Sequence, residues 1–305
     1  MSETHRPELV SVIMIFLNEA RFIQEAVMSV FAQTYDAWEL LLVDDGSSDG
    51  STEIARQVAL QYPERVRYLE HADHQNHGMS ASRNLGIHQS KGEYLSFLDA
   101  DDVWLPEKLS QQVTALESMS ETVFICGQAE WWYSWTGDLA DASRDFRQRF
   151  DVPLDTLIPP PLLLHLFLQN QWASLCDILI PRQMVEAVGG YDESFRGMYE
   201  DQVFHAKLCL RWPALVSSEC GYRYRQHPKT CTAVSHRTGQ DHIARLTFLN
   251  WLEAYLSERG IKDTKIWRTL KREMRFLRYP LIYRITGSIE SLVPPMKGVI
   301  EALGR

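Results

Sequence analysis

The segment Trp38–Tyr62, WELLLVDDGSSDGSTEIARQVALQY, decides the fold. It opens on a run, Trp38–Val43, that is apolar except for Glu39. Strands of a parallel sheet covered on both faces read this way, without in–out alternation. Asp44, Asp45 and Gly46 end the run with turn chemistry. A helical stretch follows, with Asp49 or Ser51 placed to cap it.

The same strand–turn–helix unit recurs on either side. LVSVIMIFL (Leu9–Leu17), bounded by Pro7 and Asn18, reads as a buried strand, and Phe22, Ile23, Ala26, Val27, Val30 and Phe31 then recur at helical spacing. RVRYLE (Arg65–Glu70) is followed by the helical SASRNLGIHQSKG, ending near Gly92. EYLSFLD (Glu93–Asp99) is followed by a helix starting near Pro106. This alternation predicts an α/β fold with a mainly parallel central sheet flanked by helices. Beyond it, Thr122–Trp135 and Asp177–Ile180 read as strands. Pro181–Gly190 and Glu200–Trp212 read as helices, and the chain is helical from about 237 to 278.

Composition narrows the setting. In 305 residues, 45% hydrophobic and 23% charged content is that of a globular protein. A net charge of −9 argues against nucleic acid as a partner. Five scattered cysteines without a CxxC pair fit reduced thiols in the cytoplasm. The N-terminus lacks a signal-peptide layout, and the longest apolar runs fall far short of the roughly 20 residues that span a bilayer. Residues 262–305 carry ten Lys or Arg against four Asp or Glu. Interleaved with Trp267, Phe276, Leu277, Tyr279, Leu281, Ile282 and Tyr283, they form either an amphipathic helix packed on its own domain or a peripheral contact with an anionic membrane at its inner face.

The acids concentrate where ligands bind in such sheets, beyond the carboxyl ends of the strands. Asn18–Glu19, Asp44–Asp45 and Asp99–Asp101–Asp102 all fall there. Asp99 and Asp101 share one face of the strand end, and two converging carboxylates suit Mg2+ or Mn2+. Asp102 serves equally as a helix cap. Asp45 can accept hydrogen bonds from a ligand, and Arg83 suits a phosphate or the edge of a base. Glu200 and Asp201 open a helix, where the dipole favours acids and a general base is also well placed. His71, His74 and His77 sit three apart on a segment too rich in turn residues to act as a metal cluster. Trp131–Trp135 could stack a sugar or pack in the core.

Together VSVIMIFLNE, VDDGSSDGS, ASRNLGIHQSKGEYLSFLDADDVWLPEKL and GGYDESF…YEDQVF resemble, in order and spacing, the motifs of family 2 glycosyltransferases over residues 9–235. The resemblance implies a GT-A (Rossmann-like) fold, a nucleotide-diphospho-sugar donor with a UDP-sugar expected, a divalent metal (Mn2+ or Mg2+), and inversion at the anomeric carbon. It implies donor contacts at Phe16, Asn18, Glu19, Asp45, Arg83 and Asp99. Metal ligands would be Asp99 and Asp101, with His227 nearby, since relatives often carry Tyr-Arg-x-His there. Asp201 would be the catalytic base, supported by Glu200. Where many relatives have Pro-Thr-Tyr-Asn, this chain has Ile15-Phe16-Leu17-Asn18, which leaves Phe16 to offer a ring to the base.

The resulting expectation is a glycosyltransferase domain over 1–235, with 9–120 binding the nucleotide-sugar and 121–235 a glycan or lipid-linked acceptor, and a basic helical extension over 236–305. A nucleotide-sugar-binding protein without catalysis, or a metal-dependent nucleotidyltransferase, is the alternative. A dinucleotide-binding oxidoreductase is excluded by the lack of GxGxxG after the first strand.

Overall fold

The computed structural model describes residues 7–149, 151–169 and 177–278. Its first half is built in chain order from β1 (Val10–Phe16), α1 (Ile23–Phe31), β2 (Trp38–Asp44), α2 (Ser51–Gln61), β3 (Val66–Glu70), α3 (Met79–Gln89) and β4 (Tyr94–Asp99). Parallel pairing sets β1 between β2 and β4, with β3 outside β2. Every residue of β1 and β2 is buried, as their unbroken apolar runs require. Val10, Val12, Met14 and Phe16 pack into the core with Ile23, Val27 and Val30 of α1. On the other face α3 lies unusually close. A Cβ at Gly86 would sit 2.5 Å from Ile13 Cγ2, so only glycine lets the helix settle there.

The second half comprises β5 (Val103–Trp104), α4 (Lys108–Glu117), β6 (Phe124–Trp132), α5 (Leu139–Ala142), β7 (Phe146–Arg147), β8 (Thr156–Ile158), α6 (Leu162–Leu168), β9 (Ile178–Pro181), α7 (Arg182–Val188), α8 (Glu200–Cys209), β10 (Ala214–Arg225), α9 (Cys231–Thr238), α10 (Asp241–Glu258) and α11 (Thr264–Arg278). The sheet order is β3-β2-β1-β4-β9-β6-β10-β5. β9 runs antiparallel to both β4 and β6, and β6 is parallel to β10. Two reversals cancel, so β6 and β10 end at the same rim as β1, β2 and β4. Short β5 then turns back along β10, pairing Trp104 with Tyr222 and Val103 with Arg223. The acidic turn Ala100–Asp102 is thereby laid beside the end of β10.

Local differences from expectation have local causes. α3 stops at Gln89 because Ser90 is extended, with ψ 155°. β6 ends at Trp132, and a 3-10 turn carries Trp135 out of the strand. Asp102 does not cap α4. It is 1% exposed, and its Oδ1 accepts from Arg225 N at 2.8 Å.

The chain divides into two compact units, residues 1–248 and 249–305, so α9 and the start of α10 go with the sheet. In the second unit α11 buries Ile266, Thr269, Leu270, Met274 and Leu277 on one face. Tyr279, Leu281, Ile282 and Tyr283, named above for membrane contact, lie outside the described residues. No described helix is long and apolar enough to cross a membrane.

Candidate active site

The strand register brings the polar residues together. Phe16 pairs with Asp44 and Ile15 with Asp99, so β1, β2 and β4 finish level at one rim. There the two acids of β2 are engaged by their own chain. Asp44 accepts from Ser47 N, Thr52 Oγ1 and Tyr68 Oη at 2.8, 2.6 and 3.1 Å. Asp45 accepts from His77 N at 2.8 Å, Gly78 N at 3.1 Å and Ser82 Oγ at 3.0 Å. It thereby pins the 71–78 loop over the strand end. Gly46, at φ +83°, makes this possible, because a Cβ would lie 2.7 Å from the Gln75 carbonyl carbon. Asn18, at φ +59°, adds a second brace, accepting from Ser48 N at 2.8 Å.

Two expectations about this corner change. Phe16 is 3% exposed and belongs to the core face of β1, so its ring is not offered to a nucleobase. The exposed side chain is Leu17. The three histidines turn to separate partners: His71 to Ser82 Oγ, His74 to Glu70 and Ser47 O, His77 to Asp73. The His71 and His77 rings stack at 4.3 Å, but among the described residues the three form no metal-binding cluster.

At the end of β4 the pattern differs. Arg83, 2% exposed, spans two carboxylates: Nη2 lies 2.9 Å from Asp99 Oδ1 and Nη1 lies 2.5 Å from Glu200 Oε1. It is a buried bridge between β4 and α8 rather than an open phosphate contact. Asp101 Oδ2 meets His227 Nε2 at 3.1 Å. Nearby, burial and the charges of Asp101, Asp49 and Asp99 push Glu19 up to about 8. At neutral pH Glu19 therefore keeps its proton, beside the aspartates of this rim.

α8 delivers the remaining pair. Burial, with the charge of Glu200 adding, pushes Asp201 up to about 7, and its Oδ1 accepts from Gln202 N at 2.8 Å. Tyr199, just before the pair, is held at φ +77°, a strained conformation for a non-glycine residue. Its ring stacks on Phe248 at 5.7 Å. One turn further along α8, burial and the charge of Arg83 lower His205 to about 4, leaving a neutral imidazole at physiological pH. Beside the 194–198 loop, a cavity of about 400 Å3 is lined by Phe195, Arg196, Met198, Cys231, Val234 and Thr247 among others. The lining loop runs straight into the first turn of α8, which carries Glu200 and Asp201.

Among the described residues no three His, Cys, Asp or Glu side chains form a metal cage. Asp101, His227 and the partly exposed Asp99 still fit a divalent ion that takes its remaining ligands from a bound diphosphate and water. Mg2+ and Mn2+ bind in that manner, with carboxylate, diphosphate and water oxygens as ligands.

Residues 11–146 match the model of the family described as Glycosyl transferase family 2. The chain carries a family 2 glycosyltransferase domain. Similar sequences include an uncharacterized glycosyltransferase of Rickettsia prowazekii, 31% identical over 62% of this chain and 55% of its own length. Another, from Nostoc, is 38% identical over 36% of this chain and 33% of its own length. The chain spans 29% of the length of one curated relative it matches and 56% of another. Among solved structures, residues 1–349 of Staphylococcus aureus TarS in complex with UDP-GlcNAc superpose with TM-score 0.61 at 16% identity, covering 93% of this chain and 76% of that one. The mannosyltransferase PcManGT from Pyrobaculum calidifontis, in complex with GDP-Man and Mn2+, gives 0.60 at 17%, covering 96% and 77%. These likenesses establish for the family 2 domain and its flanking segments a GT-A architecture: a mixed α/β sheet between helices with a helical C-terminal extension.

The sequence reading missed Arg225, which touches both Asp101 and Asp102. It is the arginine of the Tyr-Arg-x-His pattern at residues 224–227, but its ion-pair partner Glu25 lies 200 residues away, so that pattern does not show what it holds.

Proposed function

We propose that this protein is an inverting glycosyltransferase, moving a sugar from a nucleotide-diphospho-sugar, with a UDP-sugar the first candidate, to a hydroxyl of a glycan or glycoconjugate acceptor. One observation carries the reading. Arg83 ties Asp99, at the donor rim, to Glu200, next in sequence to the half-buried Asp201. Donor and acceptor machinery thus meet through a single side chain.

In this reading Asp201 takes the acceptor proton. A carboxyl pushed up to about 7 is a stronger base than an ordinary aspartate and is still largely ionised just above neutrality. As the proton moves to an Asp201 oxygen, the acceptor oxygen attacks the anomeric carbon and the nucleoside diphosphate leaves from the opposite face. One displacement inverts the configuration. Arg83 and Glu200 hold the first turn of α8 in place for that transfer. Asp101, Asp99 and His227 would hold Mn2+ or Mg2+, which when bound offsets the charge of the leaving diphosphate. Asn18, Glu19 and Asp45 shape the nucleoside side, with Asp45 acting through the 77–78 amides it fixes. The cavity beside Met198 and Cys231 is our acceptor site. Its lining loop leads directly into the turn that carries Asp201, which supports this assignment.

Thermal shift against a panel of nucleotide-sugars, with and without Mn2+, tests donor, base and metal together. The expected result is stabilisation by one nucleotide class that grows with Mn2+. A transfer assay with the selected donor then follows. Stabilisation by no nucleotide-sugar would overturn the reading.

A further inference from the structure

Arg225, the last residue of β10, has no role in the reaction described above. It is 2% exposed, yet its hydrogen bonds reach two other segments. Nε donates to the Asp101 carbonyl at 2.6 Å, and the backbone N donates to Asp102 Oδ1 at 2.8 Å. Nη2 reaches Glu25 Oε2, on α1, at 2.7 Å. The guanidinium carbon lies 4.7, 4.5 and 5.3 Å from the ring centres of Phe22, Trp132 and Trp135. Two residues further on, His227 meets Asp101 at 3.1 Å, and its ring lies 4.9 Å from that of Phe22. The acidic turn, α1, the end of β6 and the end of β10 therefore converge on one cation.

We propose that Arg225 is a positioning residue, which fixes the Asp101–His227 pair in the geometry that receives the metal–diphosphate group. The inference rests on the assignment of Asp101 to the metal side. Asp101 would otherwise hang on a turn whose other acids repel it. Arg225 ties down the carbonyl of Asp101, while Asp102 is tied to the β10 backbone, so the Asp101 carboxylate is left to face His227. Phe22, which contacts both Arg225 and His227, sets the spacing between them. Arginine is required for this. Its planar fork donates to Asp101 and Glu25 at once while its faces rest on aromatic rings, and a lysine ammonium cannot do all three.

The test separates positioning from mere stability. Parent, Arg225→Lys and Glu25→Ala are compared by melting temperature and by Mn2+ affinity. Affinity is measured by electron paramagnetic resonance of free Mn2+, with Mn2+ alone and with the nucleoside diphosphate of the donor selected above. Loss of a partner that orients a metal ligand typically weakens metal binding 10- to 100-fold, so Arg225→Lys is expected to bind Mn2+ at least about tenfold more weakly while remaining folded. The KM for acceptor should stay at the parent value. Glu25→Ala, which cuts only the outer anchor at a largely exposed side chain, should shift Mn2+ affinity in the same direction by less. Should Arg225→Lys not fold, Glu25→Ala decides alone. A Mn2+-responsive parent matched by every folded variant overturns the inference. A parent that binds no Mn2+ in either condition overturns the metal assignment, and the inference with it.

Discussion

Two acid pairs flank the first strand, and they look nearly alike as sequence: Asp44–Asp45 after β2, Asp99 and Asp101 after β4. In the fold they part company. Asp44 and Asp45 are 0% and 4% exposed and receive their hydrogen bonds from residues 47 to 82. The side chain of Asp99 is 37% exposed and that of Asp101 18%; Asp99 faces Arg83 and Asp101 faces His227, both delivered from elsewhere in the fold. The first pair has its charge consumed by the loop it builds. The second keeps charge available at the rim. Acids at a strand end therefore announce a ligand only where the local chain does not already satisfy them.

The contrast can be broken by mutation. The largest effect should come from Asp201→Asn, on the far side of the Arg83 bridge. General-base loss typically costs about 10²- to 10⁴-fold, so transfer should fall by that much while donor-induced thermal shift persists. The same variant should melt no lower than the parent at neutral pH. The Asp201 carboxyl is raised above its unfolded value of 3.8, so ionising it removes stability as pH climbs through about 7, and asparagine escapes that cost. Transfer near the parent rate would place the base elsewhere.

Asp101→Ala should abolish the Mn2+-dependent part of donor binding and barely change the melting temperature without ligand. Asp45→Ala should do the reverse. Stranding the buried donors that Asp45 accepts should cost about 1–3 kcal/mol in urea unfolding. Weakened donor binding would follow only through the loosened 77–78 loop. If Asp45→Ala instead kept parent stability and lost donor binding, the two pairs would be alike after all. The smallest effect is on pH. Asp201 works unprotonated, so kcat/KM should rise about tenfold per unit below pH 7 and level off above it. A flat profile from pH 5.5 to 8.5 would contradict the assignment.

Much of the first half was legible in the sequence. Buried parallel strands leave mostly apolar runs, and Leu9–Leu17, Trp38–Val43, Arg65–Glu70 and Glu93–Asp99, read as strands, hold β1 to β4 to within a residue at each end. The placing of Asn18, Asp45, Asp99 and Asp101 at one rim followed from that alone. What failed was whatever depends on long-range partners. Arg83 reads as an open contact for a phosphate or a base until Glu200, 117 residues away, closes on it. Asp102 reads as a cap until the Arg225 amide, 123 residues away, claims it. Phe16 was a different kind of error. It shares strand parity with Val10, Val12 and Met14, and that parity already pointed its ring into the core.

β9 has a consequence for anyone who trims this protein. Only four residues long, it is the seam that joins β4 to β6. The stretch that matches the family model ends at residue 146, before the seam is made. A fragment cut there would leave long hydrophobic strands with open edges, prone to pair with one another between molecules. It would also lack Glu200, so Arg83 would be left with half of its bridge. The span of the family-model match is therefore shorter than the smallest piece expected to stay soluble by itself.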